Sequence, residues 1–269
     1  MPDASQTSIQ DQDEILLRHD ADGVATLTLN RPSARNALSV GLMGALRAEL
    51  AAIEDDPAVR VVVIGANGPA FCAGHDLREI RANPDRAAYE ALFAQCSDLM
   101  LAVTRLPQPV IARVHGVASA AGCQLVATCD LAIAAEEARF ATPGVNIGLF
   151  CSTPMVAISR NAGRKQTMEM LLTGEMLDAE AACAAGLVNR VVPASELDAE
   201  IARYCGLIRA KSPLTLRIGK EAFYRQLDMP LPDAYGYASK VMVENMMARD
   251  AEEGIDAFLE KRPPTWTGE

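Results

Sequence analysis

An α/β fold with a helical C-terminal region is predicted by three observations. Apolar runs of strand length alternate with helical periods up to about residue 190, which argues for parallel strands joined by helical crossovers. From Thr153 onward helical periods dominate, and only 188–192 keeps strand character. The chain has 269 residues, half of them apolar, which suits one large core with a helical appendage.

The elements follow in order. Residues 15–18 and 24–29 read as two strands around the turn Asp20-Ala21-Asp22-Gly23. Ser39 offers an N-cap for an amphipathic helix to about Asp55, with Leu42, Leu46, Leu50 and Ile53 on one face. A buried strand is expected at 61–64, a loop at 66–69, a short helix at 76–81 and a longer one at 86–106. Further strands are expected at 110–114, 131–134 and 139–141. The remaining helices are expected at 155–160, 165–172, 178–184, 195–209, 214–226, 234–248 and 252–261, punctuated by Gly174, Gly186 and Pro213. The expected organisation is a disordered tail over 1–14, an α/β core over 15–190 and a helical region over 191–269 that packs against neighbouring subunits.

Charge and cysteine usage exclude several classes. A net charge of −10 repels nucleic acid and anionic lipid at long range. No apolar run has the length of a membrane span, and residues 1–14 lack the basic and apolar regions of a secretory signal. The seven cysteines are odd in number and include no C-x-x-C pair, so neither a disulfide framework nor a zinc or other metal site is expected. Reduced thiols in a cytoplasmic compartment fit that pattern.

Two small-residue segments carry the candidate chemistry: Phe71-Cys72-Ala73-Gly74-His75-Asp76-Leu77, and His115-Gly116-Val117-Ala118-Ser119-Ala120-Ala121-Gly122-Cys123-Gln124-Leu125. Each is expected to follow a buried strand and open a helix, where backbone N–H groups lack intrahelical partners and attract a developing anion. Small side chains let a ligand touch the backbone. Either segment alone also fits ordinary close packing of strand against helix; the pair points to two donors converging on one oxygen.

These segments, with Asn30-Arg31-Pro32, Arg35-Asn36-Ala37-Leu38, Phe140 to Gly148, Leu171-Leu172-Thr173-Gly174, Ala184 to Asn189 and Phe258 to Pro263, resemble the crotonase (enoyl-CoA hydratase/isomerase) superfamily over nearly the whole chain. His75-Asp76 and the run from Pro143 to Pro154 are most similar to its enoyl-CoA hydratase domain-containing protein 3 group. The resemblance implies a crotonase (ClpP-like) spiral of strand-turn-helix repeats assembled as homotrimers or hexamers. It implies an acyl-CoA thioester as ligand, with coenzyme A as part of the substrate and no separate cofactor. It places an oxyanion hole at the backbone amides of His75 and Ala121. Contacts to the ligand are implied for Arg35, Ala37, Ala73, His75, Asp76, Leu77, Val117, Ala120, Ala121, Gly144, Leu149 and Lys261. Arg31 and Arg262 are further candidates for the CoA phosphates.

The same resemblance places the two hydratase glutamates at Gln124 and Gly144. Neither an amide nor a hydrogen can shuttle a proton at neutral pH, so hydration is expected to be weak or absent, and restoring both glutamates is expected to return it. Cys151 is a speculative nucleophile with no basic partner in the sequence, and the His75 ring a candidate base. Ser152 and Thr153 read as helix caps, Asp76 as a helix N-terminal residue, His115 as a hydrogen-bonded core residue and Asp130 as a structural carboxylate. The alternatives kept open are an acyl-CoA binder without turnover, and a different crotonase reaction such as thioester hydrolysis or decarboxylation.

Overall fold

A computed structural model describes residues 14–269, so all but Glu14 of the expected tail lies outside the described residues. Strands β1 (Leu16–Ala21) and β2 (Val24–Leu29) form an antiparallel hairpin. Its turn is the pair Asp22-Gly23, both at positive φ, the geometry that matches strand twist in a two-residue hairpin. The first strand therefore runs three residues past Arg18, where the sequence placed its end.

β3 (Val61–Ala66), β5 (Val110–Val114), β7 (Leu131–Ala135) and β10 (Arg190–Val192) extend this hairpin into a six-stranded sheet in the order β1-β2-β3-β5-β7-β10. Every pairing after the hairpin is parallel. All six residues of β3 are buried, because the sheet is covered on both faces there. Val62 and Ile64 join the main core. Val61 and Val63 face the other way, onto Leu197, Ile201 and Cys205 of α8 (Leu197–Arg209).

The main core lies beneath α1 (Val40–Glu54), α3 (Arg86–Arg105) and α4 (Ala121–Thr128). Ser39 caps α1 by accepting from the Leu42 amide, as the sequence indicates. A second, four-stranded sheet lies alongside, in the order β4 (Ala70–Cys72), β6 (Val117–Ser119), β8 (Arg139–Ala141), β9 (Leu177–Asp178). Of these only β8 was expected. The others have two or three residues, too few to show a period. α2 (Leu77–Ala82), α5 (Pro154–Asn161), α6 (Arg164–Thr173) and α7 (Ala179–Ala185) complete the core.

α9 (Pro213–Gln226), α10 (Leu231–Met246) and α11 (Arg249–Glu260) form the C-terminal region. No described helix is long and apolar enough to cross a membrane. One carboxylate fastens this region to the sheet. Asp130 accepts from the Val110 amide at 2.7 Å, from Lys220 Nζ at 2.6 Å and from the Tyr224 hydroxyl at 2.9 Å. The structural role expected of Asp130 is thus met, through two α9 partners that lie far away in sequence. Lys220 Nζ, almost fully buried, also donates to the Val103 and Gln108 carbonyls. Asp250 holds the last residues in the same way, accepting from Ser212 Oγ at 2.6 Å and the Thr267 amide at 2.7 Å.

Removing one member of a buried ion pair leaves the other charge uncompensated, at a cost of about 3–5 kcal/mol. Lys220→Met is therefore expected to lower stability by about 3 kcal/mol. Urea unfolding followed by circular dichroism checks this; an unchanged midpoint would contradict the fastening role.

Candidate functional site

The two small-residue segments meet. Helix α4 starts so close to β4 that a Cβ added at Gly122 would lie 2.2 Å from the Cys72 carbonyl oxygen. Only glycine permits that approach. Two residues beyond Cys72, a Cβ at Gly74 would lie 3.1 Å from the Ser119 carbonyl oxygen and 3.4 Å from the Ala121 nitrogen. The backbone leading into His75 and the first amide of α4 thus flank one small space.

The amides on its two sides are freed in different ways. Leu38 and His75 form an isolated parallel bridge, made by the Leu38 amide to the Gly74 carbonyl at 2.8 Å and the Asp76 amide to the Leu38 carbonyl at 3.1 Å. In this pattern the bridged residue contributes neither of its own backbone groups, and its N–H points away from the partner strand. The His75 amide is thus freed by the bridge and not by a helix terminus, since α2 begins only at Leu77 with Asp76 as its cap. Ala121 is the first residue of α4, where no carbonyl lies one turn back to accept its N–H. All eight residues of α4 are buried, so the helix end acts in a low-dielectric setting.

Ala120 precedes this helix at φ 49° and ψ −116°, a conformation that a side chain resists. It is held there by its own amide, which donates to the Ala141 carbonyl at 2.9 Å.

Gln124 is 4% exposed, with its Oε1 4.0 Å from the Cys96 sulfur. Gly144 is buried on the 3-10 turn Pro143–Ile147. A Cβ there would meet the Leu149 carbonyl at 2.6 Å and the Cys151 sulfur at 2.9 Å. A glutamate at 144 therefore has no room unless this loop moves, which adds a structural condition to the expectation that restoring both glutamates would return hydration. Cys151 occupies the space itself. Its thiol is pushed up by burial, with partial relief from the Gly144 amide, so it stays protonated at neutral pH. The nucleophile role raised for Cys151 would need a thiolate, the form that this burial disfavours.

The His75 ring packs edge-on against Phe93, and burial lowers its pKa, keeping the imidazole neutral. Asp76 caps α2 by accepting from the Arg78 and Glu79 amides, as expected. It also pairs with Arg31 Nη2 at 2.9 Å, while Arg31 Nη1 donates to the Ala37 carbonyl at 2.6 Å. Arg31 is thereby committed to the scaffold, and Arg262 is likewise held by Glu253 and Glu260. Arg35 and Lys261, both exposed at positive φ, have no side-chain partner among the described residues. His115 Nε2 lies 2.8 Å from the Gly68 carbonyl, the hydrogen bond expected of it, but the residue is half-buried and does not belong to the core. Ala37 is buried; Ala73, Leu77 and Leu149 are exposed on the rim, and Val117 is half-buried in β6. Sequence reasoning missed Phe93 and Cys96, which α3 brings beside His75 and Gln124.

Two open grooves, of about 500 and 560 Å³, lie elsewhere and include neither His75 nor Ala121. One runs between the outer sheet face and α8, beside the Arg113–Asp198 ion pair.

The family model described as enoyl-CoA hydratase/isomerase matches residues 19–269. The solved enoyl-CoA hydratase of Mycobacterium smegmatis superposes with a TM-score of 0.93 at 55% identity, covering 94% of this chain and 99% of that one. The crystal structure of human enoyl-CoA hydratase domain-containing protein 3 gives 0.92 at 43% identity, covering 94% and 100%. The human protein named "Enoyl-CoA hydratase domain-containing protein 3, mitochondrial" is 45% identical over 248 residues, 92% of this chain and 82% of that one. The resemblance read from the motifs and the crotonase fold class both hold.

Relieving the Ala120 conformation should return more than glycine's added chain entropy removes. Ala120→Gly is expected to raise stability by about 1 kcal/mol, measured by urea unfolding. A loss of stability would show that the alanine is not strained.

Proposed function

The chain belongs to the enoyl-CoA hydratase/isomerase family, and from that premise we propose that it binds an acyl-CoA thioester and stabilises negative charge on the thioester oxygen with the amides of His75 and Ala121. The observation that carries this reading is the pairing of a bridge-freed amide with a helix-first amide across a space too narrow for side chains. Donors fixed before the reaction need no reorganisation as charge develops, and in a dry site each is worth roughly 10²–10³-fold in rate. An enolate or a tetrahedral oxyanion would be served alike.

Hydration across a double bond needs more. Water must be deprotonated and a proton delivered to the α-carbon. Gln124 has no useful proton affinity, Gly144 has no side chain, and the Cys151 thiol stays neutral. Classical hydratase turnover is therefore weak or absent in this reading. A role in acyl-CoA binding without turnover follows from the same reading, since neither position where the resemblance places a hydratase glutamate carries an acid or a base. Thioester hydrolysis or decarboxylation remains open to this site only with water or the substrate itself supplying the missing proton transfer.

Of the four cations the resemblance offers to the CoA phosphates, Arg35 and Lys261 have no side-chain partner among the described residues, and in a chain of net charge −10 such groups must be local. Ala37, Ala73, Asp76, Leu77, Val117, Ala120 and Leu149 would line the path of the ligand. Coenzyme A enters as part of the substrate. Subunit assembly belongs to the proposal as well. Phe223, Leu231, Tyr235, Met247 and Phe258 are each more than half exposed on or beside α9–α11. An apolar surface of this extent marks a protein interface, here between copies forming a trimer or hexamer. All seven cysteines are free, which fits a reducing compartment such as the cytoplasm; the human relative carries "mitochondrial" in its name.

Two measurements test this. Calorimetric titration is expected to show binding of butyryl-CoA, while crotonyl-CoA is hydrated far below ordinary enzyme rates. Gln124→Glu alone, which needs no new space at 144, is expected to raise hydration by about 10²-fold. Ordinary rates in the unmodified protein would sink the missing-carboxylate reading, and absence of CoA-ester binding the whole reading. Light scattering on a sizing column is expected to give three or six times the chain mass; a monomer would contradict the assembly.

A further inference from the structure

The groove of about 560 Å³ beside the start of α9 is used neither by the core nor by the candidate site. It opens at the C-terminal end of α1, about 22 Å along that 15-residue helix from the loop that carries Arg35. Trp266, the one tryptophan of the chain, is half-buried in its wall. The indole is held from two sides. Its Nε1 donates to the Ala210 carbonyl at 2.8 Å, and a Cβ added at Gly254 would lie 3.1 Å from its six-membered ring. Pro57, Pro107, Pro109 and Pro213, whose rings fix the backbone, also line the groove. None of the exposed apolar residues offered above to other subunits lies in it.

Cations stand unpaired at this wall. The carbonyl that follows Ala210, that of Lys211, accepts from Arg60 Nη2 at 2.7 Å, so the Arg60 guanidinium lies beside the indole. Neither Arg60 nor Arg217, the second arginine lining the groove, forms an ion pair among the described residues. Arg60 also has a like charge close by. Measured from where a Cβ on Gly23 would lie, Arg60 Cγ is 3.3 Å away and Arg209 Nε 3.7 Å. Burial and then the Arg209 charge lower the Arg60 pKa. Asp250 acts the other way, but its carboxylate already accepts from Ser212, Thr267 and Gly268. A bound anion would relieve this repulsion, and the planar guanidinium suits a phosphate. Glu54 and Asp55, exposed at the end of α1, add hydrogen-bond acceptors to the same groove. A ligand that suits all of these groups carries an anion, a flat ring and an N–H donor.

We propose that this groove is a second small-molecule site, separate from the paired amides, for a nucleoside monophosphate with an amino-substituted purine. The phosphate meets Arg60 and Arg217, the base lies against Trp266, and its exocyclic amine donates to the Glu54 and Asp55 carboxylates. The groove has the size of a small-molecule pocket, roughly 300–1,000 Å³. Further phosphates would face the carboxylates, so a monophosphate is favoured over a triphosphate. Nothing at this site depends on acyl-CoA binding at the other.

The test titrates the full-length protein with AMP, inosine monophosphate, ribose 5-phosphate and ATP. Calorimetry reads affinity, and the fluorescence of Trp266 reads placement, because a base stacked on the indole quenches it. AMP is expected to bind and to quench to saturation. Inosine monophosphate, with an oxygen in place of the amine, and ATP are each expected to bind roughly tenfold more weakly, and ribose 5-phosphate weakest of all. Arg60→Gln and Arg217→Gln are each expected to weaken AMP binding roughly tenfold. Arg217 is exposed on α9, so its replacement spares the fold, and both variants keep the reporting tryptophan. Excess butyryl-CoA is expected to leave the AMP quench unchanged. The proposal is overturned by absence of AMP binding, by binding without quenching, or by inosine monophosphate or ribose 5-phosphate binding as tightly as AMP. AMP affinity unchanged in both arginine variants would overturn it too, as would displacement by butyryl-CoA, which would put AMP in the CoA seat. Each of these outcomes leaves the acyl-CoA reading standing.

Discussion

The backbone of Gly122 rests against the carbonyl of Cys72, closer than any side chain would allow, and the geometry of the candidate site descends from that contact. It brings the first turn of α4 onto the edge of the second sheet. It leaves the Ala121 amide beside the segment that leads into His75. The conformation of Ala120 is the local cost of bending the chain from β6 into a helix at that spot. Small residues recur through both segments because two pieces of main chain, and no side chains, have to share the space.

The first of those segments is positioned from several directions. Leu38 bridges to His75, and the Ala73 amide donates to the Arg35 carbonyl at 3.0 Å. Asn36, fully buried at positive φ, donates from Nδ2 to the Asn67 and Ala70 carbonyls and accepts the Arg31 amide. Arg31 then reaches across to the Asp76 carboxylate, which caps α2. The loop after β2 is therefore a buttress for the site. A cation that sequence reading offered to the ligand is instead paired with Asp76 and holds this segment in place, while Arg35, exposed on the same loop, has no side-chain partner among the described residues.

Much of this was legible in the chain. Ser39, the apolar face of α1, the buried β3 and the hairpin ending in Asp22-Gly23 announce themselves through periodicity, capping and turn chemistry. Gln124 and Gly144 were singled out by motif; Gln124 lies one turn along α4 from Ala121, and Gly144 is buried against Leu149 and Cys151. What escaped has a common physical cause: it depends on partners far apart in sequence. β4, β6 and β9 are too short to carry a pattern and exist because neighbours pair with them. Lys220 resembles any helix-surface lysine until Asp130 appears beside it. The amide of His75 is free because of Leu38, not because a helix begins there. No local rule would have shown that position 144 is closed, since the atoms that close it belong to Leu149 and Cys151.

The buried thiols have a use of another kind. Burial pushes Cys72 and Cys123 up to about 12 and Cys96 to about 11, and all three lie within the core around the site. In the closed protein they are neither ionised nor reachable, so an alkylating reagent can modify them only after that neighbourhood opens. Their labelling rates would time the breathing of the interior, with Cys183, half-buried on α7, as the fast reference on the same chain.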